Sequence, residues 1–237
     1  MSDFNYPLLA PRTEPLYATI ADRTRRVYDY LAAVYPVSTF FFHSKAHQRA
    51  LEVAGIRDGM RVLEVATGSG EMFRRLVKAN PNGATVGLDL SPNMAARTQR
   101  RARQDFPDAN AVCQAVDARQ MPFRDETFDA VVCCYLLELL AVDDIKIALR
   151  EFQRVLKRRG TFTLTLIGEN TDGFNRAYRV CGRIAPAFWG RQVERRVPEM
   201  LESAGLRIIG DSTVRQGFYP SRVLSAKKPG STSRRGR

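Results

Sequence analysis

The sequence predicts an α/β protein with a doubly wound sheet, on three observations. Strand-like apolar runs alternate with helix-like runs five times from Arg61 onward, the rhythm of parallel strands joined by crossover helices. The fourth apolar run, FDAVVCCYLL (128–137), shows no polar alternation, as expected of a strand covered on both faces. A glycine-rich turn, Thr67-Gly68-Ser69-Gly70, joins the first strand of the series to its first helix.

Residues 1–16 carry Pro7, Pro11 and Pro15 and read as an extended arm. Ala18 to Ala54 reads as helical, interrupted near Pro36, with Tyr28, Tyr30, Tyr35 and Phe40-Phe41-Phe42 along it. RVLEVA (61–66) is the first strand, and EMFRRLVKA (71–79) gathers Met72, Leu76 and Ala79 on one side of a helix. ATVGLDL (84–90) is the second strand. Ser91 as N-cap and Pro92 at the first helical position then open a helix running to Gln104. Its Arg97, Arg100, Arg101 and Arg103 read as a solvated face. NAVCQAVD (110–117) is the third strand. Asp143 to Lys157 is an amphipathic helix stopped by Gly160, and TFTLTLIG (161–168) is the fifth strand. Residues 169–196 break the rhythm. VPEMLESAG (197–205) is a short helix ended by Gly205, and LRIIGDSTV and GFYPSRVLSA are two closing strands.

A chain of 237 residues, 44% hydrophobic, fits one α/β domain with appendages. The apolar run Ala130 to Leu137 is far shorter than the ~20 residues a bilayer crossing needs. The opening MSDFNYPLLAPRTEP lacks the basic start and apolar stretch of a signal peptide. Cys113, Cys133, Cys134 and Cys181 show no CxxC and no metal-ligand spacing, which fits a reducing cytoplasm. The net charge is +12, and the segment SAKKPGSTSRRGR (225–237) adds to it without one acid; from 229 on it reads as a disordered basic tail.

In a doubly wound sheet the ligand binds beyond the carboxyl ends of the strands, where the strand order reverses. Three acids stand near such ends: Glu64 on the first strand, Asp89 on the second and Asp117 on the third. Asp89 is placed to accept hydrogen bonds from the hydroxyls of a ribose, and Asp117 from an exocyclic adenine amine. Gly68 and Gly70 let a ligand approach the backbone. Glu64 and Glu71 would repel the pyrophosphate of a nicotinamide dinucleotide but favour the sulfonium and ammonium of S-adenosylmethionine.

VLEVATGSGEMF, TVGLDLSPNM, QAVDARQMPF and ETFDAVVCCYLLELL resemble, in this order, the successive motifs of class I S-adenosylmethionine-dependent methyltransferases. Within that class they are most similar to the UbiE-like group (methyltransferase type 11), and the likeness runs from about Tyr28 to Lys228. The resemblance implies a Rossmann-like, doubly wound, seven-stranded sheet with its last strand antiparallel. It divides the chain into an arm and lid helices (1–54), a cofactor-binding domain (55–228) with a substrate-side insertion (169–196), and the tail (229–237). By motif position Glu64, Thr67, Gly68 and Gly70 hold the methionine part and Asp89 the ribose. Leu90 and Met94 lie beside the adenine, Asp117 and Ala118 meet its edge, and Cys134 and Tyr135 line the methyl-donor side. Tyr28 closes over the cofactor. Ala66-Thr67 departs from the group, where many members have Gly or Cys.

A sulfonium already activates its methyl group, so the protein has to align a nucleophile and exclude water. His43 and His47, four apart on one helix face, are the candidate bases. They lack a third ligand for zinc, so no metal is expected. Residues 169–196 interleave Phe174, Tyr178, Phe188 and Trp189 with Arg176, Arg179, Arg183, Arg191, Arg195 and Arg196, which suits an anionic amphiphile or a membrane surface. RNA methylation is the first rival reading, since the positive charge would hold phosphates. Against it, the fourth strand ends Cys-Cys-Tyr-Leu-Leu rather than in Asp/Asn-Pro-Pro-Tyr, although Cys133 or Cys134 could stand in for a cytosine-attacking thiol. A non-catalytic S-adenosylmethionine binder is the second rival, and an NAD oxidoreductase the weakest. The expectation is a cytoplasmic methyltransferase of a small, lipid-like acceptor, a quinone precursor or a phospholipid head group, with peripheral contact to an anionic membrane. The acceptor atom and the oligomeric state stay open.

Overall fold

The computed structural model describes residues 35–184, 191–216 and 219–230, with side chains from residue 44 onward except at 183 and 184. The extended arm, Tyr28, Phe188, Trp189 and residues 231–237 of the tail lie outside the described residues, as do the side chains of His43 and Arg183. In chain order the elements are α1 (Tyr35–Ala54), β1 (Arg61–Val65), α2 (Glu71–Ala79), β2 (Ala84–Asp89), α3 (Pro92–Asp105), β3 (Asn110–Ala115) and β4 (Phe128–Cys134). A 3₁₀ turn (Leu137–Leu139) precedes α4 (Val142–Val155), β5 (Leu156–Ile167), α5 (Asp172–Ile184), α6 (Val197–Ser203), β6 (Arg207–Val214) and β7 (Ser221–Lys227).

The strands form one seven-stranded sheet in the order β3-β2-β1-β4-β5-β7-β6. Pairing is parallel from β3 to β5, and β7 runs antiparallel to both β5 and β6. The order reverses between β1 and β4, so a crevice opens above their carboxyl ends. Alternation along each strand sends residues to opposite faces. Leu63, Val65, Val131 and Cys133 join the larger core cluster with Ile145, Leu149 and Phe152 of α4 and with Val197 and Leu201 of α6. Val62, Val132 and Cys134 face the other way, against Ala50 and Ala54 of α1 and Met72 and Leu76 of α2. Phe73 and Val77 of α2 extend that layer to Ala95 and Ala102 of α3.

The local signals act as their chemistry requires. Ser91 Oγ accepts the Met94 N–H at 3.2 Å, and Pro92 occupies the first turn of α3. Pro36 stands in the first turn of α1, where a missing N–H costs nothing. Two expectations about element ends need correction. α4 stops at Val155, not at Gly160, because Leu156 already pairs with Phe128 of β4. The Lys228 ammonium, donating to the carbonyls of Gln153 (2.9 Å) and Leu156 (2.8 Å), satisfies the helix end in place of a glycine. The irregular pairing of β5 with β4 falls at Arg159 (φ 62°) and Gly160, before the register resumes at Thr161. β4 ends at Cys134 rather than Leu137: Tyr135 turns left-handed (φ 56°), and Leu137 enters the core from the 3₁₀ turn.

Gly87 of β2 leaves the room that the glycine-rich turn occupies. A Cβ on it would stand 2.7 Å from Thr67 Cγ2 and 2.8 Å from Phe73 Cε2. Gly87→Ala is expected to lower the unfolding free energy by about 1–3 kcal/mol through overpacking, as read by urea denaturation.

Candidate functional site

The centre of the site is the junction of β1, the turn after it and the end of β2. Glu64, the fourth residue of β1, lies on the same strand face as Val62, toward α1 and α2, and is 1% exposed. Among the described residues its Oε2 has no hydrogen-bond partner. Burial, and then the nearby Asp89 carboxylate, hold the Glu64 carboxyl well above the usual range. A buried acid in this state fits a cationic ligand, whose charge would let it ionise.

The turn is bound on two sides. Thr67 N–H donates to Leu88 O at 3.0 Å and Gly70 N–H to Thr67 O at 2.8 Å. Asp89 accepts the Gly68 N–H at 2.7 Å with one oxygen and the Ser91 N–H at 2.9 Å with the other. From α3, Thr98 Oγ1 donates to Gly68 O (3.4 Å) and Arg101 to Ser69 O (3.2 Å). Gly70 is left-handed (φ 78°), and a Cβ there would meet Thr98 Oγ1 at 2.7 Å. Ala66 is left-handed as well (φ 64°), which costs an L-residue about 1–2 kcal/mol.

The three acids are not equivalent. Glu64 and Asp89 interact, whereas Asp117 is engaged by Arg119, whose Nε and Nη2 donate to its carboxylate at 2.7–3.1 Å. Arg119 also reaches Asp144 of α4 at 3.0 Å, and these partners raise its already high pKa. A guanidinium therefore shares the expected adenine edge with Asp117 and Ala118. Leu90 is half-buried and Met94 buried at the start of α3. Glu71, expected to repel a pyrophosphate, instead pairs with Arg74 (3.5 Å) and Arg75 (3.2 Å) on its own helix. The charge argument about the ligand thus rests on Glu64.

Past β4, burial pushes the Cys134 thiol up to about 12 and raises the Cys133 thiol well above its ordinary value, so neither serves as a thiolate near neutral pH. Cys134 Sγ donates to Thr165 Oγ1 at 3.5 Å. The Tyr135 hydroxyl lies 2.7 Å from Ser221 Oγ, and Gln216 Nε2 donates to both oxygens. Gln216 Oε1 accepts the Ala46 N–H of α1 at 3.2 Å, tying α1 to the end of β4. His47 is 4% exposed, its ring centroid 6.0 Å from that of Tyr135. His43 stands one turn earlier on α1. Among the described residues no group of three or more His, Cys, Asp or Glu could hold a metal.

Sequence reading missed Glu138 in the 3₁₀ turn, which looked like part of an apolar run. It is 3% exposed; Oε1 accepts the Ile167 N–H at 2.6 Å, and among the described residues Oε2 has no hydrogen-bond partner. The insertion returns beside it, with Arg191 N–H on Glu138 O (2.7 Å) and Arg191 Nη1 on Leu140 O (3.0 Å). At its other end Glu169 N–H donates to the Glu194 carboxylate, and Arg195 pairs with Glu169 at 2.5 Å. Burial raises the Glu138 carboxyl from 4.5 to about 7, with Glu194 adding repulsion and the Ile167 N–H opposing it. Between these two values the folded protein holds a proton that the unfolded chain releases, so stability falls as pH rises. Glu64 acts in the same direction. Urea denaturation at several pH values from about 5 to about 8 is expected to show this decline, and Glu138→Gln to make it shallower.

Residues 62–160 match a family model described as a methyltransferase domain. The chain is 31% identical over 154 residues to the demethylmenaquinone methyltransferase of Thermotoga maritima, covering 65% of this chain and 62% of that protein. It is 29% identical over 143 residues to the 2-phytyl-1,4-naphtoquinone methyltransferase of Nostoc sp., covering 58% and 62%. It thus spans about 62% of the length of these relatives. Among solved structures, the [4+2]-cyclase SpnF superposes with a TM-score of 0.75 at 18% identity, covering 90% of this chain and 98% of that one. Magnesium protoporphyrin IX methyltransferase from Synechocystis, solved with S-adenosylhomocysteine, gives 0.71 at 17% identity, covering 89% and 100%. At such identities the superpositions speak to fold alone. Sheet order, motif order and sequence likeness agree: residues 62–160 match a methyltransferase domain, and the chain is similar to class I S-adenosylmethionine-dependent methyltransferases of the UbiE-like group.

Proposed function

We propose that this protein transfers a methyl group from S-adenosylmethionine to a small, lipid-like acceptor, a quinone precursor being the leading class. The observation that carries the reading is the buried Glu64 carboxyl beside Asp89, under a turn whose backbone is open to close approach. Such a pair suits a cation and disfavours a phosphate. When bound, S-adenosylmethionine supplies a methyl group already activated by its sulfonium.

The chain's own residues would bind, orient and exclude water. Glu64, Thr67, Gly68 and Gly70 would hold the methionine part, and Asp89, fixed by the Gly68 and Ser91 amides, the ribose hydroxyls. Leu90 and Met94 would flank the adenine, with Asp117 and Ala118 at its edge. Cys134 and Tyr135 would form the wall behind the methyl group, and Tyr28 would cover the cofactor. His47, buried against Tyr135, is the better placed of the two candidate bases. Residues 1–54 would act as arm and lid, 55–228 as the catalytic domain and 229–237 as a tail.

The acceptor class draws support from the quinone-methylating relatives and from the face of α5. There Arg176, Arg179 and Val180 are exposed, while Phe174 and Tyr178 stack with centroids 5.9 Å apart. A basic face with an apolar residue favours peripheral contact with an anionic membrane, the source of a lipid-like acceptor. No helix among the described residues is long and apolar enough to cross a membrane. We place the protein in the cytoplasm, in line with four free cysteines.

Calorimetry with S-adenosylhomocysteine tests the pocket. Asp89→Ala is expected to weaken binding by about 1–3 kcal/mol, since it strands ribose hydroxyls and the turn amides together; unchanged affinity places the pocket elsewhere. Transfer from deuterated-methyl cofactor into a lipid extract, followed by mass spectrometry, tests the reaction. His47→Asn is expected to cut that transfer about a hundredfold with little change in cofactor affinity.

A further inference from the structure

α4 and α6 share the larger core cluster, and a groove runs between their outer flanks. Ile145, Leu149 and Phe152 of α4 and Val197 and Leu201 of α6 point into the core. Lys146 and Arg150, one turn apart on α4, are exposed and form one wall of the groove. Arg196, the residue before α6, forms the other wall with Glu199 and Ser203. Met200 and Ala204, both packed on the core cluster, make an apolar floor. The cavity measures about 280 Å³, just under the ~300 Å³ at which small-molecule sites begin.

Three cations stand in this groove against one acid. Elsewhere the protein matches arginines with acids, as at Arg119, Arg154 and Arg222. Among the described residues no acid pairs with Arg150 or Arg196, although Glu199 lies in the same groove. Arg150 Nε donates to Lys146 O at 3.3 Å, within its own helix, which leaves both terminal nitrogens for a ligand. Lys146 holds Asp143 at 3.0 Å in an exposed pair, which adds little in water. The excess of positive charge matches a phosphate monoester, which carries about −1.5 to −2 near neutral pH. Guanidinium forks on facing walls suit its oxygens. The Ser203 hydroxyl adds a donor, and Met200 and Ala204 offer contact to a carbon body that a bare inorganic ion lacks.

We infer that the groove between α4 and α6 binds a phosphate monoester, gripped by Arg150 and Arg196 from opposite walls, with Lys146 beside them. The site is separate from that of the proposed methyl transfer: neither the turn after β1 nor Glu64 or Asp89 lines it.

Isothermal titration calorimetry of the full chain at fixed ionic strength, with glycerol 3-phosphate as probe, tests the site. Wild type is expected to bind it saturably. Arg150→Gln combined with Arg196→Gln is expected to weaken binding about tenfold or more. Glu199→Gln is expected to tighten it about twofold to fivefold, a gain that a misfolded protein cannot give. Arg100→Gln combined with Arg103→Gln, at exposed positions of α3, removes the same net charge and is expected to leave the affinity unchanged. Phosphatidylcholine vesicles with and without phosphatidic acid, the lipid form of the same phosphate, distinguish the sources. Capture by phosphatidic acid that the Arg150→Gln, Arg196→Gln protein loses assigns a lipid headgroup; intact glycerol 3-phosphate binding without capture assigns a soluble ligand. Binding of neither probe, binding that survives in the Arg150→Gln, Arg196→Gln protein, an equal loss in the α3 variant, or no gain in Glu199→Gln overturns the site.

Discussion

The site hangs on the carboxylate of Asp89. One oxygen takes the Gly68 N–H and the other the Ser91 N–H, so a single side chain joins the tip of β2 to the turn after β1 and to the start of α3. These are charge-assisted bonds to backbone donors, stronger than neutral ones. They fix the strained path through Ala66, Gly68 and Gly70, which in turn sets how closely a ligand can approach. Thr98 and Arg101 hold the same turn from α3, so the helix behind the crevice is tied to the loop in front of it. Gly87 completes the constraint by leaving space for Thr67.

Around this frame the molecule places acids where burial works against their charge. Glu64 and Glu138 are both raised above the ordinary carboxylate range, chiefly by desolvation. Each reduces stability near neutral pH, and such local conflicts concentrate where a protein binds something. Asp117 contrasts with them: it is paired with Arg119, which also bridges to Asp144 of α4.

Most of the frame was legible in the sequence because it depends on local chemistry. Periodicity gave the strands, Ser91-Pro92 gave the start of α3, and glycine spacing gave the turn. What escaped depends on partners distant in the chain. The end of α4 is fixed by the pairing of Leu156 with Phe128 and satisfied by Lys228, more than seventy positions later, rather than by Gly160. Glu138 was hidden in an apolar run, because nothing in Leu-Leu-Glu-Leu-Leu says that the acid faces inward. Glu71 seemed to face the ligand until Arg74 and Arg75 took it up. Charged residues on a helix find neighbours one turn away, and a strand–turn–helix motif read alone ignores them.

The place of β7 carries a consequence for how the molecule is made. β5 is flanked by β4 on one side and by residues 221–227 on the other, so its second edge stays bare until those residues have been made. A nascent chain that has emerged only through α6 can assemble β3-β2-β1-β4-β5 while exposing an apolar strand rim. That rim is the place for chaperones to bind or for ribosome-bound chains to stick to one another, and the closing hairpin seals it.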